Sequence, residues 1–252
     1  MKQFLVFILA ISLFSVSCKE DFIIVDNVVI DYAPYSCDYT EELASNYTLS
    51  VKRLLLDEMH VDPTHPDIDL PYFNQESIDE LLSVLQAVKN IGLPEADTIF
   101  DVYSIHARQN LSLNSILIRF DSITEEVENL MIGQPTGIAL FDDLVSNYEF
   151  DSLIVFDFSP MYYKFKFLTD LDLNMIPIME EFEEIPNVYY ASFSSFVGDG
   201  NKIELTRNEN SIVLNFSYGY GDCFAGCIYR RHWIFEIDNY CNAEFIESYG
   251  NY

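Results

Sequence analysis

Hydrophobic positions set the first divisions of this chain. From Asn74, Ile78, Leu81, Leu82, Leu85, Val88 and Ile91 recur at helical spacing, and Gly92 and Pro94 end the run. Asn74 is placed to cap that helix, with Ser77 and Glu80 as an alternative capping box. Strands are expected over about 99–106 and 113–121, the second because Ile116, Ile118 and Phe120 alternate with Leu117 and Arg119. Short helices follow near 124–132 and 136–148. Further strands read near 153–158 and 161–168, then a helix striped by Met175, Ile178, Met179, Phe182 and Ile185. The remainder is rich in strand pattern: 187–196, 202–207, 211–218, 228–237 and 243–248. Residues 47–58 fit helix and strand equally. With no regular β-α-β alternation, the fold class expected is α+β: antiparallel sheet, about four helices and a strand-rich, disulfide-linked C-terminal part. Strand, strand, helix occurs twice, at 99–132 and 153–185, which suggests two halves, 74–148 and 150–252.

The first residues have a different pattern. Lys2 precedes a run from Phe4 to Phe14 that is apolar apart from Ser12, too short to span a bilayer and suited to a signal peptide. Ser15, Val16 and Ser17 lead into Cys18 and resemble a lipobox, with serine where leucine is usual. The chain therefore divides into a lipoprotein signal peptide (1–17), a lipid anchor on Cys18 with its tether (18–46), and one α+β domain (47–252). Lys19-Glu20-Asp21 resembles the charged tag behind the lipidated cysteine of surface-exposed lipoproteins of the Bacteroidota. That resemblance implies an acylated Cys18 held in the outer membrane and facing outward, the periplasmic face being the alternative.

Charge narrows the partners. Thirteen lysines and arginines stand against 41 acids, a formal net charge of −28. Loss of the first 17 residues, which hold Lys2 and no acid, makes it −29. Nucleic acid, which is bound by releasing counterions to Lys and Arg, is excluded as a partner, and bare anionic membrane is repelled. The apolar fraction of 50% supports a large core. Apart from Cys18 the cysteines are Cys37, Cys223, Cys227 and Cys241, an even set that in an exported chain favours disulfides. Cys223 with Cys227 would leave Cys37 for Cys241; spacing alone allows three pairings.

The most distinctive stretch runs from Tyr218 to Cys227, Tyr-Gly-Tyr-Gly-Asp-Cys-Phe-Ala-Gly-Cys. A redox pair would have two intervening residues and a following helix. Zinc, with His232 and Cys241, would want a second close ligand pair. A nucleophile would need an oriented base. A structural disulfide is the reading that meets none of these objections. Elsewhere, Asp170, Asp172, Asn174 and Glu181 match positions of a calcium loop, but Met175 stands where the turn demands glycine. His60, Asp62, His65 and Asp67 crowd a proline-rich loop and are weak transition-metal candidates against a plain polar connection. Thr98, Ser122 and Ser152 each follow an aspartate and precede an aliphatic residue, the O-glycosylation sequon of Bacteroidota, and each falls at an expected strand end. Hydrolase, Walker and dinucleotide fingerprints are missing, so no catalytic residue and no cofactor is assigned.

Gly221-Asp222-Cys223, Gly226-Cys227, Arg230-Arg231 and Trp233, with Gly198-Asp199-Gly200-Asn201 and Tyr249-Gly250-Asn251, resemble an uncharacterised family of exported Bacteroidota lipoproteins. Ile105-His106 and Thr136-Gly137 extend the resemblance across the domain, and it implies no mechanism. The expected function is a non-enzymatic binding or accessory module whose aromatic-rich sheet or Gly/Cys loop meets a glycan or a protein. The alternative is a hydrolase or metal-dependent enzyme, for which a pocket collecting His60, His65, His106 or His232 with carboxylates is the signature.

Overall fold

The computed structural model describes residues 37–120, 122–158, 162–196 and 198–251. The signal peptide, Cys18, Lys19-Glu20-Asp21 and most of the tether lie outside them. Among the described residues no helix is long and apolar enough to cross a membrane.

Helix α1 (Glu41–Val61) takes up the segment whose pattern was ambiguous, and it begins inside the expected tether. Leu43, Tyr47, Val51, Leu54, Leu55 and Met59 supply its buried stripe. Thr40 caps it by accepting from the Leu43 N–H, and Glu41 and Glu42 sit where the helix dipole favours acids. Helix α2 (Gln75–Lys89) is capped by Asn74, whose side chain accepts from the Glu76 N–H. The capping-box alternative is not used: Ser77 donates to Asp67, and Glu80 holds Arg207.

Residues 99–106 are a correction. They form a π-turn (Thr98–Val102) after the short helix α3 (Pro94–Asp97), then unpaired chain. Ile99 and Phe100 are both buried in succession, which a half-buried strand cannot do, and Ser104 at φ +44° breaks the extension. The suggested repeat of strand, strand, helix therefore lacks its first member.

The remaining elements follow the pattern read from the sequence. They are β1 (Ser115–Phe120), α4 (Glu125–Met131), α5 (Ala139–Asn147), β2 (Ser152–Asp157), β3 (Tyr163–Leu168), α6 (Met175–Glu183) and β4 (Val188–Phe193). After them come β5 (Lys202–Arg207), β6 (Ser211–Tyr220), β7 (Tyr229–Asp238) and β8 (Ala243–Gly250). Two antiparallel sheets result, ordered β2-β3-β1-β4 and β5-β6-β7-β8. The fold is α+β, with six helices among the described residues.

Each sheet has its own core. Phe165, Phe167, Ile116 and Ile118 from the first pack under α4, α5 and α6, around a knot of rings in which Phe141 meets Phe167 at 5.6 Å and Phe182 at 5.1 Å. Leu214, Phe216, Phe235 and Ile237 from the second pack under α1, α2 and the π-turn. The boundary expected between 74–148 and 150–252 is not the one the cores follow. One core joins residues 43–107 to 203–237, and the other, 116–191, is inserted between them. Asn174 stitches the seam: its Nδ2 donates to the carbonyls of Ile68 and Leu70 while its Oδ1 caps α6. Cys37 is paired with Cys241 across a separation of 204 residues, and Cys223 with Cys227.

Candidate ligand cleft and the clasp behind it

Strands β6 and β7 pair in register from Ser211↔Asp238 to Tyr220↔Tyr229. Alternation puts Phe216, Tyr218 and Tyr220 on one face together with Trp233, Arg231 and Tyr229. In the middle of the sheet this face is core. Towards the Tyr220 end it runs beyond the helices, and the same row of side chains lines a cleft of about 550 Å³ roofed by Pro94, Glu95, Thr98 and Tyr103. Tyr103 stacks on Tyr218 with centroids 4.1 Å apart, and Tyr218, Tyr220 and Tyr229 continue the stack. Trp233, the only tryptophan, forms the floor beneath the Arg231 guanidinium, 5.9 Å above its ring. Arg231 also donates to Ser248 Oγ at 2.6 Å. The Tyr220 hydroxyl is buried with no hydrogen-bond partner among the described residues. Flat ring faces with a few convergent polar groups, at this volume, are what a small-ligand site needs.

The opposite face of the same strands carries a clasp centred on Asp199. Its carboxylate accepts from Arg230 Nη2 at 2.6 Å, the Cys227 N–H at 3.0 Å and the Gly200 N–H at 2.8 Å. Its own N–H donates to the Cys223 carbonyl at 2.7 Å. Burial alone would raise the Asp199 pKa, but these hydrogen bonds outweigh it and hold the carboxyl well below the usual range. Arg230 also donates to Ser217 Oγ and the Gly200 carbonyl. Gly219 must be glycine here, since a Cβ would lie 2.5 Å from Cys227 Sγ and 2.9 Å from Arg230 Nη2. Gly250, at φ +102°, would drive a Cβ into the Arg230 carbonyl. Asp199, Gly200, Gly219, Cys223, Cys227, Arg230 and Gly250 thus converge on one end of the sheet, although they are scattered through the last quarter of the sequence.

The other sequence candidates do not form sites together. His60 is exposed and packs edge-on against Phe193, whereas His65 is buried, its Nδ1 accepting from the Asp67 N–H and its Nε2 3.9 Å from Glu58. The Asp62 carboxylate accepts from the Thr64 N–H and hydroxyl. Asp172 pairs with Lys52 at 2.9 Å, Asn174 is spent on α6 and the seam, and Asp170 is exposed. No group of three histidines, cysteines or acids able to hold a metal occurs among the described residues. His106 bonds Ser50 inside the α1 core, and His232 stacks on Tyr249 on the clasp face, so the four histidines occupy four separate places. Ser122 and Ser152 are exposed, while Thr98 is half-buried in the cleft roof and donates to the Pro94 carbonyl.

The sequence reading missed a buried ionic knot. Arg207, 4% exposed, lies between Glu58 Oε1 at 2.6 Å and Glu80 Oε2 at 2.8 Å, beside a second groove between α1 and β5. Its members come from three distant elements, so no local pattern announces it. No family model, curated protein or solved structure matches this chain.

Proposed function

We propose that this protein is a non-enzymatic binding module, lipid-anchored through Cys18 at the outer membrane and displayed at the cell surface, and that its cleft takes a sugar ring of a glycan. One observation carries the binding reading: a stack of tyrosines over Trp233 and Arg231 stays open where the sheet's core face outruns its helices. Rings of this kind present large rigid apolar faces at low entropic cost, while Arg231 and Glu95 in the cleft lining offer hydrogen bonds. The anchor reading is supported by the signal pattern and the charged tag.

Trp233 is a built-in probe because it is the only tryptophan and lines the cleft. Titration of the mature chain with a panel of neutral oligosaccharides is expected to change its fluorescence, and Tyr218→Ala to abolish the change. No response across the panel, or an unaltered response in Y218A, would remove the cleft from the function. For the address, Cys18→Ala is expected to yield a chain of unacylated mass. Protease on intact cells is expected to degrade the domain; survival until the outer membrane is broken would overturn surface display.

A further inference from the structure

The outer face of the β2-β3-β1-β4 sheet holds a second feature, independent of the cleft. Three of the cations of this very acidic chain, Arg119, Lys164 and Lys166, project there together. The core of that sheet uses Ile116, Ile118, Phe165 and Phe167, so their strand neighbours point away from it. Arg119 and Lys164 stand directly opposite each other, and Lys166 faces Leu117 one step along. Like charges directly opposed across strands destabilise a sheet. A carboxylate would relieve this at little cost in a chain with 41 acids, and Lys52, Lys89 and Lys202 each have one. Among the described residues Arg119, Lys164 and Lys166 have none.

Aromatic rings stand in place of acids. The Arg119 guanidinium lies 4.1 Å from the Tyr162 ring and 4.6 Å from that of Tyr189, and Lys164 lies 5.3 Å from that of Tyr190. Arg119 Nε is buried with no hydrogen-bond partner among the described residues. Tyr189 is 57% exposed, and Ile154 and Phe156 of β2, opposite Lys166 and Lys164, are also open to solvent. The face is therefore a cationic strip between flat apolar surfaces, in a molecule whose net charge is −28.

We propose that this face binds an acidic oligosaccharide, its carboxylate or sulfate groups meeting Arg119, Lys164 and Lys166 and its rings lying on Tyr189 and its neighbours. Charge complementarity selects an anion. The size of the anionic partner is set by the rest of the surface. A bilayer or a nucleic acid would also confront the rest of a chain whose net charge is −28, with repulsion acting over a Debye length of about 8 Å at physiological salt. A narrow chain ligand touches the strip alone.

Calorimetric titration of the full mature chain carrying Cys18→Ser tests this at low ionic strength, with oligogalacturonate, a heparin oligosaccharide and neutral maltooligosaccharide as probes. Binding of at least one acidic probe, no binding of the neutral one on this face, and weakening with added salt are expected. K164Q/K166Q is expected to weaken acidic binding about tenfold or more, the loss of charge-assisted contacts, and Tyr189→Ala to weaken it while leaving the salt dependence. Unchanged thermal melting shows that the variants fold, and Tyr218→Ala, which empties the other cleft, is expected to leave acidic binding intact. The proposal fails if neither acidic probe binds, if K164Q/K166Q binds them as well as the parent does, or if polyglutamate or anionic phosphatidylglycerol vesicles bind more tightly than both.

Discussion

Replacing Arg207 with methionine keeps most of its length and removes its charge. The guanidinium is 4% exposed and holds the carboxylates of Glu58 and Glu80, whose side chains are 12% and 5% exposed. His65 supplies no second cation near neutral pH, because burial pushes its pKa down. The knot is thus two anions around one cation, and the variant leaves both carboxylates in a nearly dry site. Breaking a buried pair in this way costs about 3–5 kcal/mol. Acid should return part of that loss. Burial already raises the Glu58 pKa against the opposing pull of Arg207, so the folded chain binds a proton at higher pH than the unfolded chain. The stability tied to that proton is present below the ordinary glutamate range and is lost as pH rises through the folded value. Without Arg207 the upward shift of Glu58 grows, and Glu58 is neutralised on mild acidification. Urea denaturation of R207M is therefore expected to show a deficit of about 3–5 kcal/mol at about pH 7.5, smaller by about 1 kcal/mol or more at about pH 5. A deficit below about 1 kcal/mol at the higher pH would mean that attraction and desolvation cancel in this knot. An equal deficit at both values would refute uncompensated charge as the cause.

Other perturbations read out the remaining structure. Gly219→Ala should cost about 1–3 kcal/mol, since the new methyl meets Cys227 Sγ at 2.5 Å, and should lower the melting temperature in calorimetry. Asp199→Asn should destabilise by about 1.5–3 kcal/mol near neutral pH. Because the Asp199 pKa is depressed in the fold, its contribution is present above the ordinary aspartate range and fades as pH falls below it, so the parent and D199N melting curves should approach each other in acid. Cys37→Ala with Cys241→Ala opens a closure of 204 residues and should lose about 3–5 kcal/mol in non-reducing denaturation. Phe141→Ala, which empties the centre of the ring knot in the inserted core, should lose about 3–5 kcal/mol.

Local rules carried the elements, and distance hid the rest. The strand at β6 was legible because Ile212, Leu214 and Phe216 are buried while Val213 and Asn215 are not fully so, a period of two that survives into the structure. Asn74 was legible as a cap because capping is a contact two residues long. Helix α1 was obscured because its apolar residues crowd into Leu54, Leu55 and Leu56, all buried between two layers, which blurs any period. The two-core division was invisible to local pattern: the sheet that covers α1 and α2 is encoded only after the whole inserted unit has been made. The Gly/Cys loop stood out by composition, but the cleft did not, since Tyr103 must cross half the chain to stack on Tyr218.

The two adjacent arginines show how that site is divided. Arg230 and Arg231 are consecutive on a strand, so the pleat sends them to opposite faces. Arg230 goes into the clasp, where Asp199, Gly219 and the Cys223–Cys227 loop leave it no solvent-facing work. Arg231 goes into the cleft over Trp233. The glycines and cysteines that make the sequence distinctive are therefore the mounting, and the plainer tyrosines on the far side of the same strands are the surface they hold in place. A substitution in the clasp should act on the cleft through the register of β6 on β7, weakening every ligand alike. One at Tyr103 or Tyr218 should abolish the fluorescence response while leaving stability nearly unchanged. That contrast in stability separates the clasp from the proposed binding surface on the other face of the same strand pair.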